Sequence, residues 1–195
     1  MSDTNKVEQV TAGKPKVGGA VFEAPINTDL PTSATVALNT AFKGAGYISE
    51  DGVTHTSSPE TVKVKAWGGD TVLAEQTGKD DQYKMKFIQG MNIDVLKSIY
   101  GDDNVSGDLE NGLTVLGNSK EVEARSWVID QILKGDILYR TVIPNGKITE
   151  IGDVVYKDDE PIGYDVTIDA LPDSSGNTHY EYYQNGPSGA TGTTA

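Results

Sequence analysis

The stretch TVKVKAWGGDTVLAE, residues 61–75, decides the fold. Val62, Val64 and Ala66 alternate with Lys63, Lys65 and Trp67, and a period of two sends alternate side chains to opposite faces of a strand. Gly68-Gly69-Asp70 then turns the chain into Thr71–Glu75, so the segment reads as a β-hairpin. The alternation recurs downstream, where Tyr83, Met85 and Phe87 take one face of Gln82–Gln89 and Lys84, Lys86 and Ile88 the other. Upstream, Val17–Ala24 is expected as a strand stopped by Pro25, followed by a loop through INTDLPTSA. Gly46–Ile48 opens another strand that Ser49-Glu50-Asp51-Gly52 interrupts, and the polar run THTSSPE extends the interruption into a long loop, Ser49–Glu60.

The second half continues in short apolar runs: Leu113–Leu116, Val122–Ile132, Ile137–Ile143, Lys147–Val155 and Gly163–Leu171, with Asn145-Gly146 predicted as a hairpin turn. One helix is predicted, Ile93–Tyr100. Asn92 or Asp94 caps it, Ile93, Leu96 and Ile99 or Tyr100 form its apolar stripe, and Gly101 ends it. These patterns describe an all-β or β-rich domain. The 195 residues suffice for one domain with a single core. Its expected extent is 16–172, between a polar N-terminal arm, 1–15, and a Gly/Ser/Thr-rich tail, 173–195, both read as flexible.

Composition narrows the function. There is no cysteine, which excludes disulfides, thiolate metal sites and cysteine nucleophiles. Acids outnumber bases 29 to 16, and a formal charge of -13 disfavours non-specific binding to a phosphate backbone. The N-terminal sequence lacks a signal-peptide core, and no run of about 18 apolar residues is present, so neither export nor membrane insertion is expected.

No catalytic, cofactor or metal residue is assigned. Asp102, Asn104, Ser106, Gly107, Asp108 and Glu110 imitate half of an EF-hand loop, but Leu113 stands where the bidentate Glu belongs, so a solvated acidic turn is expected. His55 and His179, the only two histidines, are placed in loop and tail without a flanking ligand pattern. Gly13-Lys14 and Ser119-Lys120 do not complete a phosphate-binding loop, and Asn104-Val105-Ser106 spells a glycosylation sequon without an export signal. Trp67 and Trp127 read as core or interface anchors, with the core favoured.

Four ordered segments carry a resemblance: Gly19-Ala20-Val21-Phe22-Glu23-Ala24-Pro25 through Leu30-Pro31-Thr32, Gly46–Val53, Lys65-Ala66-Trp67-Gly68-Gly69-Asp70, and Asp94–Asp102. They resemble the major tail, or tail-tube, proteins of siphophages that infect Gram-positive bacteria. One departure is Asn27-Thr28 where a Gly-Thr pair is common, which bears on a turn conformation. The resemblance implies a β-sandwich or split β-barrel with one short flanking α-helix. It implies a virion protein, made in the host bacterial cytoplasm, that polymerises as stacked hexameric rings and conducts DNA during ejection. Its implied partners are itself and the tape-measure, tail-terminator and tail-tip proteins, with DNA passing through without specific binding.

Under that resemblance the N-terminal arm and the segment after the second strand order against a neighbouring subunit. Ser49, Glu50, Asp51, His55, Lys63 and Lys65 are the expected inter-subunit contacts. Asp165 and Asp169, opposite Tyr164, Val166 and Ile168, either face the lumen or lie on a solvated outer strand. Lys63, Lys65, Lys84 and Lys86 are expected mostly to meet a neighbour's acids or to face outward. The alternative reading is an extracellular β-sandwich binding module, an adhesin or carbohydrate-binding domain.

Overall fold

The computed structural model describes residues 6–186. Its elements, in order, are β1 (Lys14–Pro15), β2 (Val21–Pro25), β3 (Lys43–Gly44), β4 (Ile48–Lys65), β5 (Thr71–Phe87), α1 (Ile93–Tyr100), β6 (Val105–Asp108), β7 (Gly112–Val115), β8 (Arg125–Leu133), β9 (Ile137–Ile151), β10 (Tyr164–Leu171) and β11 (Tyr180–Asn185). The fold is mainly β, with antiparallel sheets and one short α-helix. The large sheet runs β3-β2-β8-β9-β10-β5-β4; β1 adds to β8 and β11 to β9, while β6 and β7 form a separate hairpin.

The centre is the β8–β9 hairpin, which is apolar on both faces. Trp127, Ile129 and Ile143 join one core with Tyr83, Met85 and Phe87 of β5, Val166 and Ile168 of β10, and Val95, Leu96 and Ile99 of α1. Val128 and Val142 point the other way, into a smaller core with Ala24 and Phe42 that Leu30, Leu38, Tyr180 and Tyr182 cover. Two-sided burial explains why β8 and β9 read as apolar runs rather than as a clean alternation. The hairpin turns at Gly135 and Asp136, both at positive φ, 84° and 57°.

Asn145-Gly146, predicted as a turn, lies inside β9, where Gly146 pairs with Arg125 on one side and Ala170 on the other. The glycine serves packing. A Cβ there would sit 2.6 Å from Trp127 Cδ1 and 2.9 Å from Ile168 Cγ2. Trp127 Nε1 donates to its carbonyl at 3.2 Å. The two predicted strands are therefore one, and its far edge is shared: residues 137–142 pair with β11 and residues 145–151 with β10. The sheet splits there.

Helix α1 matches its prediction. Asn92 accepts from the amides of Asp94 and Val95, and Gly101 closes the helix at φ 93°. Its Ser98 hydroxyl donates to the buried Glu23 carboxyl of β2, which also has Arg125 Nε at 3.7 Å. The loop over the smaller core is clamped by Arg140, which makes a bidentate pair with Asp130 at 2.6 and 2.8 Å and donates to the carbonyls of Ser33 and Val36 at 3.0 and 2.7 Å. At the start of that loop Asn27 takes φ 68°, a conformation that asparagine tolerates better than most residues, so the turn survives without glycine.

Other expectations are corrected. Ser49–Glu60 is not a loop but lies within the 18-residue strand β4; Gly52, at φ 71°, marks a register shift between Ile48 and Val53 where an interruption was expected. A strand exposed on both faces needs no apolar alternation, so its Thr/Ser-rich sequence resembled a loop. The first regular strand after the arm begins at Val21 rather than Val17. Both ends expected to be flexible are partly seated on the sheet: β1 pairs with β8 and β11 with β9. Residues 1–5 and 187–195 of those ends lie outside the described residues.

Two stability predictions follow from the buried charges. Arg140→Met leaves the buried Asp130 with only the half-exposed Lys16, 3.4 Å away, as counter-charge, and should cost about 3 kcal/mol in urea unfolding. Adding Asp130→Leu should restore much of it, whereas an equally unstable double variant would contradict the account.

Burial is the largest influence on Glu23; it raises the carboxyl from 4.5 to about 7, against the opposing Arg125 charge and Ser98 hydrogen bond. A raised folded-state value gives stability that is complete below pH 4.5 and lost as pH climbs through about 7. The loss is on the order of 3 kcal/mol. Glu23→Gln, which cannot ionise, should flatten that decline between pH 5 and 8, and a parallel decline in both proteins would contradict it.

Candidate assembly surface and the polar cluster at its root

Strands β4 and β5 pair from Ile48↔Phe87 out to Lys65↔Thr71. Only the inner part rests on the protein body, where Tyr83, Met85 and Phe87 are buried. From Ser58 to Lys65 and from Thr71 to Gly78, every residue but one is exposed. The result is a two-stranded ribbon standing free of the body for about eight residues per strand, on the order of 30 Å at the rise of a β-strand.

The ribbon has distinct faces because directly opposed residues share one. Val62↔Glu75 and Val64↔Leu73 form one, with exposed valines and leucine; Thr61↔Gln76 and Lys63↔Ala74 form the other, and a register shift after Val64 brings Lys65 opposite Thr71 at the tip. At the tip Ala66 N–H bonds Asp70 O at 2.8 Å and Gly69 takes φ 96°. This turn leaves Trp67 fully exposed, correcting its expected place in the core, while Trp127 is 1% exposed.

The expected contact residues occupy different parts of this element. Ser49, Glu50 and Asp51 lie at the irregular start of β4, His55 near its middle, and Lys63 and Lys65 on the free ribbon. Asp165 is exposed on β10, and Asp169 accepts a hydrogen bond from Gln82 at 2.9 Å. These acids share their face with lysines: Asp165 stands opposite Lys86, Thr167 opposite Lys84, and Asp169 opposite Lys147 on β9. The face is mixed in charge.

Where the ribbon leaves the body, Asp81 is buried and has three hydrogen-bond partners, with His179 farther off and itself 3.2 Å from the Thr178 hydroxyl. Thr178 Oγ1 donates to its Oδ2 at 2.6 Å and Lys79 Nζ at 3.0 Å; His55 Nε2 lies 3.3 Å from Oδ1 and His179 Nδ1 3.8 Å from Oδ2. Burial alone would raise the Asp81 carboxyl. The hydrogen bonds, led by that of Thr178, outweigh it and hold the group well below the ordinary carboxylate range. Burial, and then His55 beside it, push the His179 imidazole down against the pull of Asp81. The His55 ring stacks on Tyr83 with centroids 4.3 Å apart and meets His179 edge-on at 4.9 Å.

The two histidines, expected in loop and tail without a ligand pattern, are thus brought together with a carboxylate. Asp81 gave a local signal, because it shares the inward parity of Tyr83, Met85 and Phe87. Nothing local pointed to His179, which reaches the cluster only because β11 returns to the sheet. The EF-hand-like segment has its side chains on separate local partners: Asp102 bonds Arg125 at 2.8 Å, and Asp108 accepts the amides of Glu110 and Asn111 across the β6–β7 turn.

Among the described residues no helix is long and apolar enough to cross a membrane. No curated protein matches the chain. The family model for phage tail tube protein matches residues 3–193, nearly the whole sequence, and the chain belongs to that family of structural virion proteins.

Proposed function

We propose that this chain is the major tail protein of a siphophage infecting a Gram-positive host, stacking as hexameric rings into the tube that conducts DNA during ejection. The carrying observation is the free β4–β5 ribbon, whose Val62, Val64, Leu73 and Trp67 side chains are exposed. A hairpin with no third layer is marginal in water, and exposed strand edges are templates for pairing. A closed ring of neighbours, with further rings above and below, covers both the apolar stripe and the edges.

In this reading Ser49, Glu50 and Asp51 contact a neighbour at the ribbon's root, His55 lies at the junction, and Lys63 and Lys65 meet acids of the adjoining subunit. The N-terminal arm, 1–15, orders against a neighbour on assembly and helps delay polymerisation until an initiator is present. Asp165 and Asp169 face the bore, where their carboxylates repel phosphates at short range; Lys84 and Lys86 share that face, so of the four lysines expected mostly to turn away from the bore only Lys63 and Lys65 do so in this reading. DNA slides through rather than binding. Tape-measure, terminator and tip proteins complete the tail, and subunits are made in the host cytoplasm.

Electron microscopy of concentrated protein tests the reading. Rings or tubes with a DNA-wide bore are expected; a persistent monomer that binds glycans would instead support an adhesin-like module. Replacing residues 60–78 by an Asn-Gly turn, which joins the paired Pro59 and Lys79, should leave a folded monomer, because the free ribbon lies outside both cores, and should abolish tubes. Tubes of normal length from that variant would sink the proposed role. Deleting residues 1–15 should slow or prevent tube formation, and unchanged assembly kinetics would remove the arm from the account.

A further inference from the structure

The polar cluster at the ribbon's root has a geometry that a structural ion pair does not require. We propose that His55, Asp81 and His179 form a binding site for a divalent transition metal, zinc foremost, which ties β4, β5 and the entry to β11 into one unit.

One ligand-type atom from each residue lies within 4.8 Å of the others. Ligands bound at about 2.0–2.1 Å in a tetrahedron stand roughly 3.3–3.5 Å apart. Each histidine is already close to this from one carboxylate oxygen: His55 Nε2 stands 3.3 Å from Asp81 Oδ1, and His179 Nδ1 stands 3.8 Å from Oδ2. Closing the remaining gap takes no more than about 1.5 Å, within reach of small side-chain rotations. Two imidazoles and one carboxylate suit zinc and its first-row neighbours; calcium and magnesium call for all-oxygen shells.

The surroundings also fit. The Thr178 hydroxyl donates to the Asp81 carboxylate and fixes it, as the hydrogen-bond partners behind metal-ligating carboxylates do. Three protein ligands leave a fourth position for water, and the His55 side chain, 31% exposed, gives a route from solvent. Lys79 is the present counter-charge of Asp81; it sits on a long, half-exposed stem, and an incoming dication would displace it. His55 and Asp81 lie on paired strands, whereas His179 precedes β11, which pairs with β9 and reaches the ribbon's root through side-chain contacts of Thr178 and His179, so a bound ion would stiffen the joint between ribbon and body. This inference stands whether or not the chain forms tubes.

The test uses untagged full-length protein freed of metal with a chelator. Zinc should bind with one-to-one stoichiometry by calorimetry and raise the thermal midpoint, while magnesium does neither. Affinity should fall about tenfold or more in His55→Ala and in His179→Ala, with Asp108→Asn, on the separate acidic turn, binding as wild type. Cobalt on the wild-type protein provides a readout independent of the variants, in the visible bands of a four-coordinate ion with nitrogen ligands. Absence of saturable zinc binding, equal binding to both histidine variants, or a six-coordinate cobalt spectrum would each overturn the proposal.

Discussion

An antiparallel pair of strands bonds internally along one edge each and covers neither of its own faces, so a long ribbon persists in water only when something supports it. In this protein the support is one-sided. The inner part of β4–β5 leans on the large core through Tyr83, Met85 and Phe87, and the outer part has no cover among the described residues. A subunit built this way is folded but unfinished. Val62, Val64, Leu73 and Trp67 are an exposed apolar surface for which a second copy of the chain is the economical cover.

The body that bears this load is organised around β8 and β9. Because both strands are buried on both faces, they hold two separate cores in register, one under α1 and one under the loop that Arg140 clamps. The split at β9 lets β10 continue toward β5 while β11 folds back, and that return brings Thr178 and His179 onto the ribbon's root. The root is therefore polar and cross-linked by hydrogen bonds around the buried Asp81, in contrast to the apolar packing of the body beneath it.

Much of the fold was legible because local rules agreed with global packing. The 61–75 hairpin, the inward set Tyr83, Met85 and Phe87, and the Asn92-capped helix obey simple periodicities, and each is found where expected. The failures have physical causes. Asn145-Gly146 carries the strongest turn signal in the chain, yet its glycine serves the close approach of Trp127, a contact made across strands. Ser49–Glu60 looked like a loop because solvent-exposed strands need no apolar alternation. The His55–Asp81–His179 cluster depends on a return of the chain that no local pattern encodes. The family resemblance was legible in ordered segments of the first half, not in any reactive group, and the family match extends over residues 3–193.

The central claim is that the free ribbon becomes interface on assembly, and amide hydrogen exchange on the same protein before and after polymerisation tests it most directly. The account predicts fast exchange across residues 58–79 in the monomer, slow exchange there in the tube, and little change in β8 and β9. Fast exchange across the ribbon in assembled tubes would contradict it.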